Sequence, residues 1–182
     1  MSNSLRDKVV VVTGASSGIG RSIALESASR GATVILMARH QDKLEEIANE
    51  ARQLSGNEVY VFPTDISKAD QIDRAFNEIV SHVDHIDYLV NAAGFGVFKE
   101  FLETSPQVMT EMFQTNVLGL MYFTRLVARV MIDQKQGQII NFGSIAGIVP
   151  TTKTAVYSAN KAAIIQFSNF RLAQSPIRGK IW

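Results

Sequence analysis

Residues Lys8 to Gly20 read KVVVVTGASSGIG. The four valines form a β-branched run with no polar interruption. A strand buried on one face alternates apolar with polar residues. An unbroken run suits a strand covered on both faces, as in a parallel sheet. After the glycines the period changes. GIGRSIALESASRG places Ile19, Ile23, Ala24 and Ala28 on one helical face and stops at Gly31.

The same alternation runs along the rest of the chain. TVILMA is a second buried strand. DKLEEIANEARQLSG carries a helical stripe of Leu44, Ile47, Ala48, Ala51 and Leu54, closed by Gly56. EVYVF is a third strand. Ser67 and Asp70 have the spacing of a capping box ahead of a helix with Ile72, Ala75, Phe76, Ile79 and Val83 inward. IDYLVNAAG is a fourth strand with its exit loop. Ser105-Pro106 reads as an N-cap and first-turn proline, opening a long helix to about Gln134. GQIINFGS is a fifth strand. A final helix runs from about Lys153 to about Leu172. No repeat, linker or low-complexity tract interrupts the pattern. It predicts one α/β domain over residues 1–182, a doubly wound Rossmann-like parallel sheet with helices on both faces. Ligands of such sheets bind beyond the carboxyl ends of the strands.

Composition narrows the function. The chain has 182 residues, 18 basic and 17 acidic, for a net charge of +1, so it has no electrostatic footprint for nucleic acid. It has no cysteine, which excludes disulfides, thiolate chemistry and cysteine metal sites and fits a reducing compartment. His82 and His85 are three apart, but no third ligand converges on them in the sequence, and surface histidines are far commoner. The Val9–Val12 run is too short for a signal-peptide core, and no stretch approaches the ~18 apolar residues of a membrane span. The expectation is a cytoplasmic protein with neither membrane nor nucleic acid as partner.

The chemistry begins at Thr13-Gly-Ala-Ser-Ser-Gly-Ile-Gly20, between the first strand and first helix. Gly14, Gly18 and Gly20 let backbone approach a phosphate closely. The helix N-terminus beyond offers free N–H groups and a positive dipole end, suited to a pyrophosphate. The spacing is G-x-x-x-G-x-G rather than G-x-G-x-x-G.

In this context the chain resembles the classical branch of the short-chain dehydrogenase/reductase family. NAAG, Asn91 to Gly94, follows the fourth strand. Asn116 lies in the long helix within TNVLG, and Ser144 ends the fifth strand within GSIAG. Tyr157 and Lys161 form a Y-x-x-x-K, with Tyr157 falling 13 residues after Ser144. The resemblance spans residues ~5–172 and rests on ordered motifs rather than any single one.

The last of these motifs also has a physical reading. A carbonyl exchanging a hydride with nicotinamide must exchange a proton at its oxygen. A free tyrosine, with a pKa near ~10, is poorly poised for that. Lys161, at i+4 on the same helix face, would favour the phenolate. Ser144 could hydrogen-bond and orient the substrate oxygen. The resemblance implies that Lys161 also holds the nicotinamide ribose and that Asn116 fixes a proton-relaying water. Asn116 is itself anomalous among Met112, Phe113, Val117, Leu120 and Met121, where a bare amide costs propensity and threatens an unpaired buried group. The expected catalytic set is Asn116, Ser144, Tyr157 and Lys161.

Cofactor preference follows from the end of the second strand. A carboxylate there would bind the 2′-hydroxyl of NAD(H). This chain has Ala38-Arg39, and a guanidinium suits a 2′-phosphate. Ser16 and Ser17 add hydroxyls, so NADP(H) is favoured over NAD(H). The resemblance assigns Asp65 to the adenine and sets Ile66 beside the ring. It places Asn91, Ala92 and Gly94 on the cofactor as well. The expected cofactor set is therefore Gly14, Ser16, Ser17, Gly18, Ile19, Gly20, Arg39, Asp65, Ile66, Asn91, Ala92, Gly94, Tyr157 and Lys161, with no metal. The function implied is an NADP-dependent oxidoreductase acting on a small carbonyl or secondary alcohol. Phe95, Gly96, Val97, Phe98, Ile145, Val149 and Pro150 would shape its substrate pocket, and their apolar character suggests a lipid-like, steroid-like or aliphatic compound. The resemblance also implies a homo-oligomer, a dimer or tetramer paired through the long helix and the Tyr157 helix.

After about Phe170 the family pattern stops. FRLAQSPIRGKIW contains no Pro-Gly pair, Ser175-Pro176 suggests a turn, and residues 173–182 read as a divergent tail. The expectation is a shortened or frameshifted gene product lacking the usual last two strands and the substrate lid. On that expectation cofactor binding is weak and turnover low. The alternative function is then a catalytically impaired nucleotide-binding remnant.

Overall fold

The computed structural model describes residues 4–149 and 151–169, and the backbone of 178–181. Pro150, Leu172, the Ser175-Pro176 turn and Trp182 lie outside the described residues. The strands are β1 (Val9–Thr13), β2 (Thr33–Ala38), β3 (Val59–Pro63), β4 (Tyr88–Asn91), β5 (Gln138–Asn141) and β6 (Arg178–Ile181). All pair in parallel, in the order β3-β2-β1-β4-β5-β6. The order reverses between β1 and β4, and in such sheets the binding crevice lies beyond the carboxyl ends of the strands at that point.

The valine run explains the layering. Successive side chains of a strand point to opposite faces. Val9 and Val11 enter one core, with Ile72 and Ile79 of α3 (Ala69–His82) and Phe123 and Val127 of α5 (Leu120–Asp133). Val10 and Val12 enter the other, with Ala24 and Ala28 of α1 (Gly18–Ser29) and Leu44 and Ala48 of α2 (Gln41–Ser55). Both faces are covered, so no strand position calls for a polar residue. Gly56 closes α2 in the left-handed region, at φ 68°, as its position predicts.

Several expectations are corrected. Ile19 was expected on the inner face of α1 but is 59% exposed, because the helix turns its small residues Gly20, Ala24 and Ala28 to the sheet. Leu54 is likewise exposed, at the end of α2. Ser67 does not cap α3; Lys68 stands at the cap, and the Ser67 N–H and hydroxyl both donate to the Asp65 carboxylate, at 2.9 and 2.7 Å. An aspartate two residues back competes successfully for that serine. The long helix begins with Ser105 accepting from Val108 N–H and Pro106 in the first turn, as expected. It is not uniformly α: α4 (Pro106–Phe113) passes into a π segment, Gln114–Gly119, before α5. The sheet also does not end at the five strands read from the sequence, because Arg178–Ile181 adds a sixth beside β5. An open edge recruits backbone N–H and C=O groups without needing a side-chain pattern, so Arg-Gly-Lys-Ile carries no strand signal.

The amino ends of the central strands β1 and β4 are fastened by Asp87. Its nearly buried carboxylate accepts from Lys8 Nζ at 2.9 Å and from the Val9 N–H at 3.0 Å, and His85 Nε2 lies 3.0 Å away. The carboxylate beside Lys8 raises the ammonium pKa, through the hydrogen bond first and charge second. Lys8 is partly exposed, so the larger share of the stabilisation is the buried bond to Val9. Asp87→Ala is expected to cost about 2–3 kcal/mol. That lowers the thermal midpoint by about 5–10 °C, read by circular dichroism. An unchanged midpoint would show that the carboxylate is dispensable.

Candidate active site

The crevice at the order reversal is a cleft of about 320 Å³. Its floor is the glycine loop. Gly14 and Gly18 have φ of +67° and +54°, a region that side chains other than glycine rarely enter. A Cβ on Gly14 would lie 2.7 Å from the Ala93 backbone, so this turn packs directly on the loop leaving β4. A Cβ on Gly20 would lie 2.3 Å from the Gly14 carbonyl oxygen, so α1 starts flush against the turn. Ser17 stands at the N-cap of α1 without a side-chain cap bond. The helix therefore presents uncapped N–H groups toward an open, glycine-lined cradle. That cradle fits the phosphates of a dinucleotide.

The cleft gathers Gly14, Ser16, Ser17, Gly18, Ile19, Gly20, Arg39, Asp65, Ile66, Ala92 and Gly94 from the expected cofactor set. Arg39 is exposed on its wall and makes no ion pair among the described residues. Asp65 holds the turn after β3 through Ser67, while its own N–H donates to Gln71 Oε1 at 2.8 Å. Thr13, Met37, His40, Thr64 and Thr115 also line the cleft and were not anticipated. The usable signal was position alone: most of them stand at strand ends or in the residues just beyond.

A second cleft of about 130 Å³ shares Ile19, Ala92, Ala93, Gly94 and Phe95 with the first and is walled by Asn91, Asn116, Tyr157 and Lys161. Tyr157 and Lys161 lie on α6 (Ala155–Asn169). Lys161 Nζ donates to the Phe142 carbonyl at 2.7 Å and sits 5.7 Å from the Tyr157 ring centroid. Burial pushes the Lys161 pKa below the usual lysine value. Phe142 was missed as a site residue because it contributes a backbone oxygen, which any residue carries.

Asn116 resolves its own anomaly. It is 2% exposed, and both amide atoms are paired: Oδ1 accepts from the Phe95 N–H at 2.9 Å and Nδ2 donates to the Phe95 carbonyl at 2.8 Å. The π segment thus clamps the loop leaving β4. A Cβ on Gly94 would come 2.9 Å from that Oδ1, so glycine is needed there. Asn91 is a tie rather than an open donor. Its Nδ2 donates to Thr124 Oγ1 at 2.9 Å and to Asn141 Oδ1 at 2.8 Å, while its Oδ1 has no partner among the described residues.

Ser144, unlike the other expected catalytic residues, lines neither of these two clefts. It caps the short 3-10 turn Ile145–Gly147, its Oγ accepting from the Ala146 N–H at 3.2 Å, which leaves its own O–H free to donate. That turn lies on α6: a Cβ on Gly147 would be 2.7 Å from the Lys161 carbonyl carbon. His82 and His85 diverge. His82 packs edge-on against Tyr60 and Phe62, and His85 turns to Asp87.

Comparison with known proteins places this architecture. The 11-beta-hydroxysteroid dehydrogenase-like 5 protein of Arabidopsis thaliana is 37% identical over 166 residues, 90% of this chain but 42% of that protein, so the chain spans less than half of that relative. A metagenomic short-chain oxidoreductase solved in complex with NADP superposes with a TM-score of 0.92 at 33% identity, covering 100% of this chain and 82% of that one. NAD+-bound xylitol dehydrogenase superposes with a TM-score of 0.92 at 29% identity, covering 97% of this chain and 69% of that one. The family model for short chain dehydrogenases matches residues 8–176, and the chain belongs to that family.

Proposed function

We propose that this chain forms the nucleotide-binding and proton-transfer part of an NADP(H)-dependent oxidoreductase that interconverts a carbonyl compound and a secondary alcohol. The observation that carries the reading is the continuity of the two clefts, from a glycine cradle at one end to Tyr157 and Lys161 at the other. When bound, a nicotinamide cofactor supplies or accepts the hydride. Gly14, Ser16, Ser17, Gly18, Ile19 and Gly20 would hold its phosphates, and Asp65 and Ile66 its adenine end. Tyr157 exchanges a proton with the substrate oxygen. Lys161, half-buried and close to the ring, favours the phenolate form of Tyr157, and the Ser144 O–H orients the substrate. Asn116 keeps the β4 loop in place between the two clefts. Pairing into a homo-oligomer belongs to the same reading, supported by exposed Leu118 and Met121 on the long helix.

Cofactor preference rests on Arg39, which directly follows β2 where an NAD-binding chain would place a carboxylate. Relatives of this fold are found with either cofactor. Calorimetric titration tests the choice. NADPH is expected to bind more tightly than NADH. Arg39→Ala is expected to weaken NADPH about 10–100-fold, the loss of charge-assisted bonds, and to leave NADH unchanged. Equal affinities in the parent chain would remove the argument.

A further inference from the structure

The loop leaving β4 lies against Tyr157, and the loop leaving β5 lies against α6 at Lys161. From Ala92 to Phe98 no residue carries a polar side chain, and from Phe142 to Val149 only Ser144 does. On the first loop, Gly96 lies against both aromatic rings: a Cβ there would be 3.0 Å from Phe98 and 3.0 Å from Tyr157. The Phe98 ring packs tilted on Tyr157, with centroids 5.3 Å apart. On the second loop, the turn at Gly147 sits on the α6 backbone at Lys161. Yet these loops are not core. Phe98 is 60% exposed, Ile145 73%, Ile148 68% and Val149 56%. Large apolar side chains are therefore presented at the surface, Phe98 beside Tyr157 and the others on the turn that packs at Lys161, rather than folded into the core. Charged side chains begin only at Lys99 on one side and Lys153 on the other, forming a polar rim.

We infer that the substrate is apolar next to its reacting carbon, an aliphatic or alicyclic ketone or the matching alcohol, and that Phe98 sets this preference. The inference rests on the function proposed above and names its substrate class. A polyhydroxylated substrate would bring hydroxyls against walls that offer them no partner, and each unpaired group is unfavourable. An alkyl or ring carbon at the same place gains by covering Phe98 and Ile145.

Two six-carbon ketones with the carbonyl at carbon 2 test it: 2-hexanone and fructose, the latter referred to its open-chain form. With the full chain and NADPH, kcat/KM is expected to favour 2-hexanone by about a hundredfold. Phe98→Ala is expected to lower that value about tenfold or more, chiefly through KM, and to lower the fructose value by less, so that the preference narrows. The exposed position of Phe98 keeps the fold out of the result, with the thermal midpoint as control. Comparable turnover of fructose, or a Phe98→Ala variant equal to the parent, overturns the inference. So does a variant that alters sedimentation but not kinetics, since the patch would then be a contact between copies. If neither ketone turns over, calorimetry of 2-hexanol into the NADP+-saturated protein decides. Binding that is lost in Phe98→Ala supports the inference, and no binding overturns it. Failure of NADPH itself to bind sinks the proposed function and this inference with it, whereas fructose reduction sinks only the inference.

Discussion

Replacing Tyr157 by phenylalanine is expected to lower kcat for carbonyl reduction about 10²–10⁴-fold, with a much smaller effect on NADPH affinity. The change removes one oxygen. The ring contacts with Gly96 and Phe98 remain, so the cleft wall keeps its shape. What disappears is the group able to give the substrate oxygen a proton. Single-turnover NADPH oxidation, beside a calorimetric titration on the same variant, separates chemistry from binding. Activity within about tenfold of the parent chain would mean that another group carries the proton.

The second large effect is structural. Gly20→Ala adds a methyl group 2.3 Å from the Gly14 carbonyl oxygen and 2.8 Å from its carbon. The turn cannot retreat, since Gly14 is itself pressed on the Ala93 backbone. Helix α1 must move away, and its N–H groups leave the cradle with it. Such overpacking costs about 1–3 kcal/mol. The thermal midpoint should fall by several degrees, at about 2–4 °C per kcal/mol for a chain of this size. NADPH affinity should fall at least about tenfold, because the misplaced N–H groups are the ones proposed to hold its phosphates. Gly18→Ala is the control for stability alone. Nothing lies within 4 Å of its Cβ position, so only the backbone strain at φ +54° remains in the fold. That strain costs about 1–2 kcal/mol. An undiminished midpoint and NADPH affinity in Gly20→Ala would show that the close approach of Gly20 to Gly14 is irrelevant.

These two residues also differ in how far the sequence revealed their roles. Tyr157 could be placed by its spacing from Lys161 and Ser144. Gly20 could be placed in a phosphate loop, but its contact with Gly14 could not be foreseen, since it depends on how α1 meets the turn. Asn116 was legible as an anomaly, an amide in an apolar helix. Its partners were not, because Phe95 offers backbone atoms that any residue would carry. Ser67 misled, since a capping-box spacing and an Asp65 turn compete for one hydroxyl. Ile19 misled as well, since helical periodicity does not say which stripe faces the sheet when the small residues pack closer.

The order of the first five strands and their flanking helices follows from the sequence alone. So do the burial of β1 on both faces and the glycine, Arg39, Asp65, Tyr157 and Lys161 lining of the clefts, but not Thr13, Met37, His40, Thr64, Thr115 or Phe142. Periodicity and glycine punctuation are local properties, and local properties are written residue by residue. The tertiary structure decided what needed two distant segments: the joining of the two clefts, the clamp of the π segment on the β4 loop, the hold of Phe142 on Lys161, and the sixth strand at Arg178–Ile181. Each of these is made by backbone groups or by an open sheet edge. Backbone groups are alike in nearly every residue, so only the fold selects which of them meet.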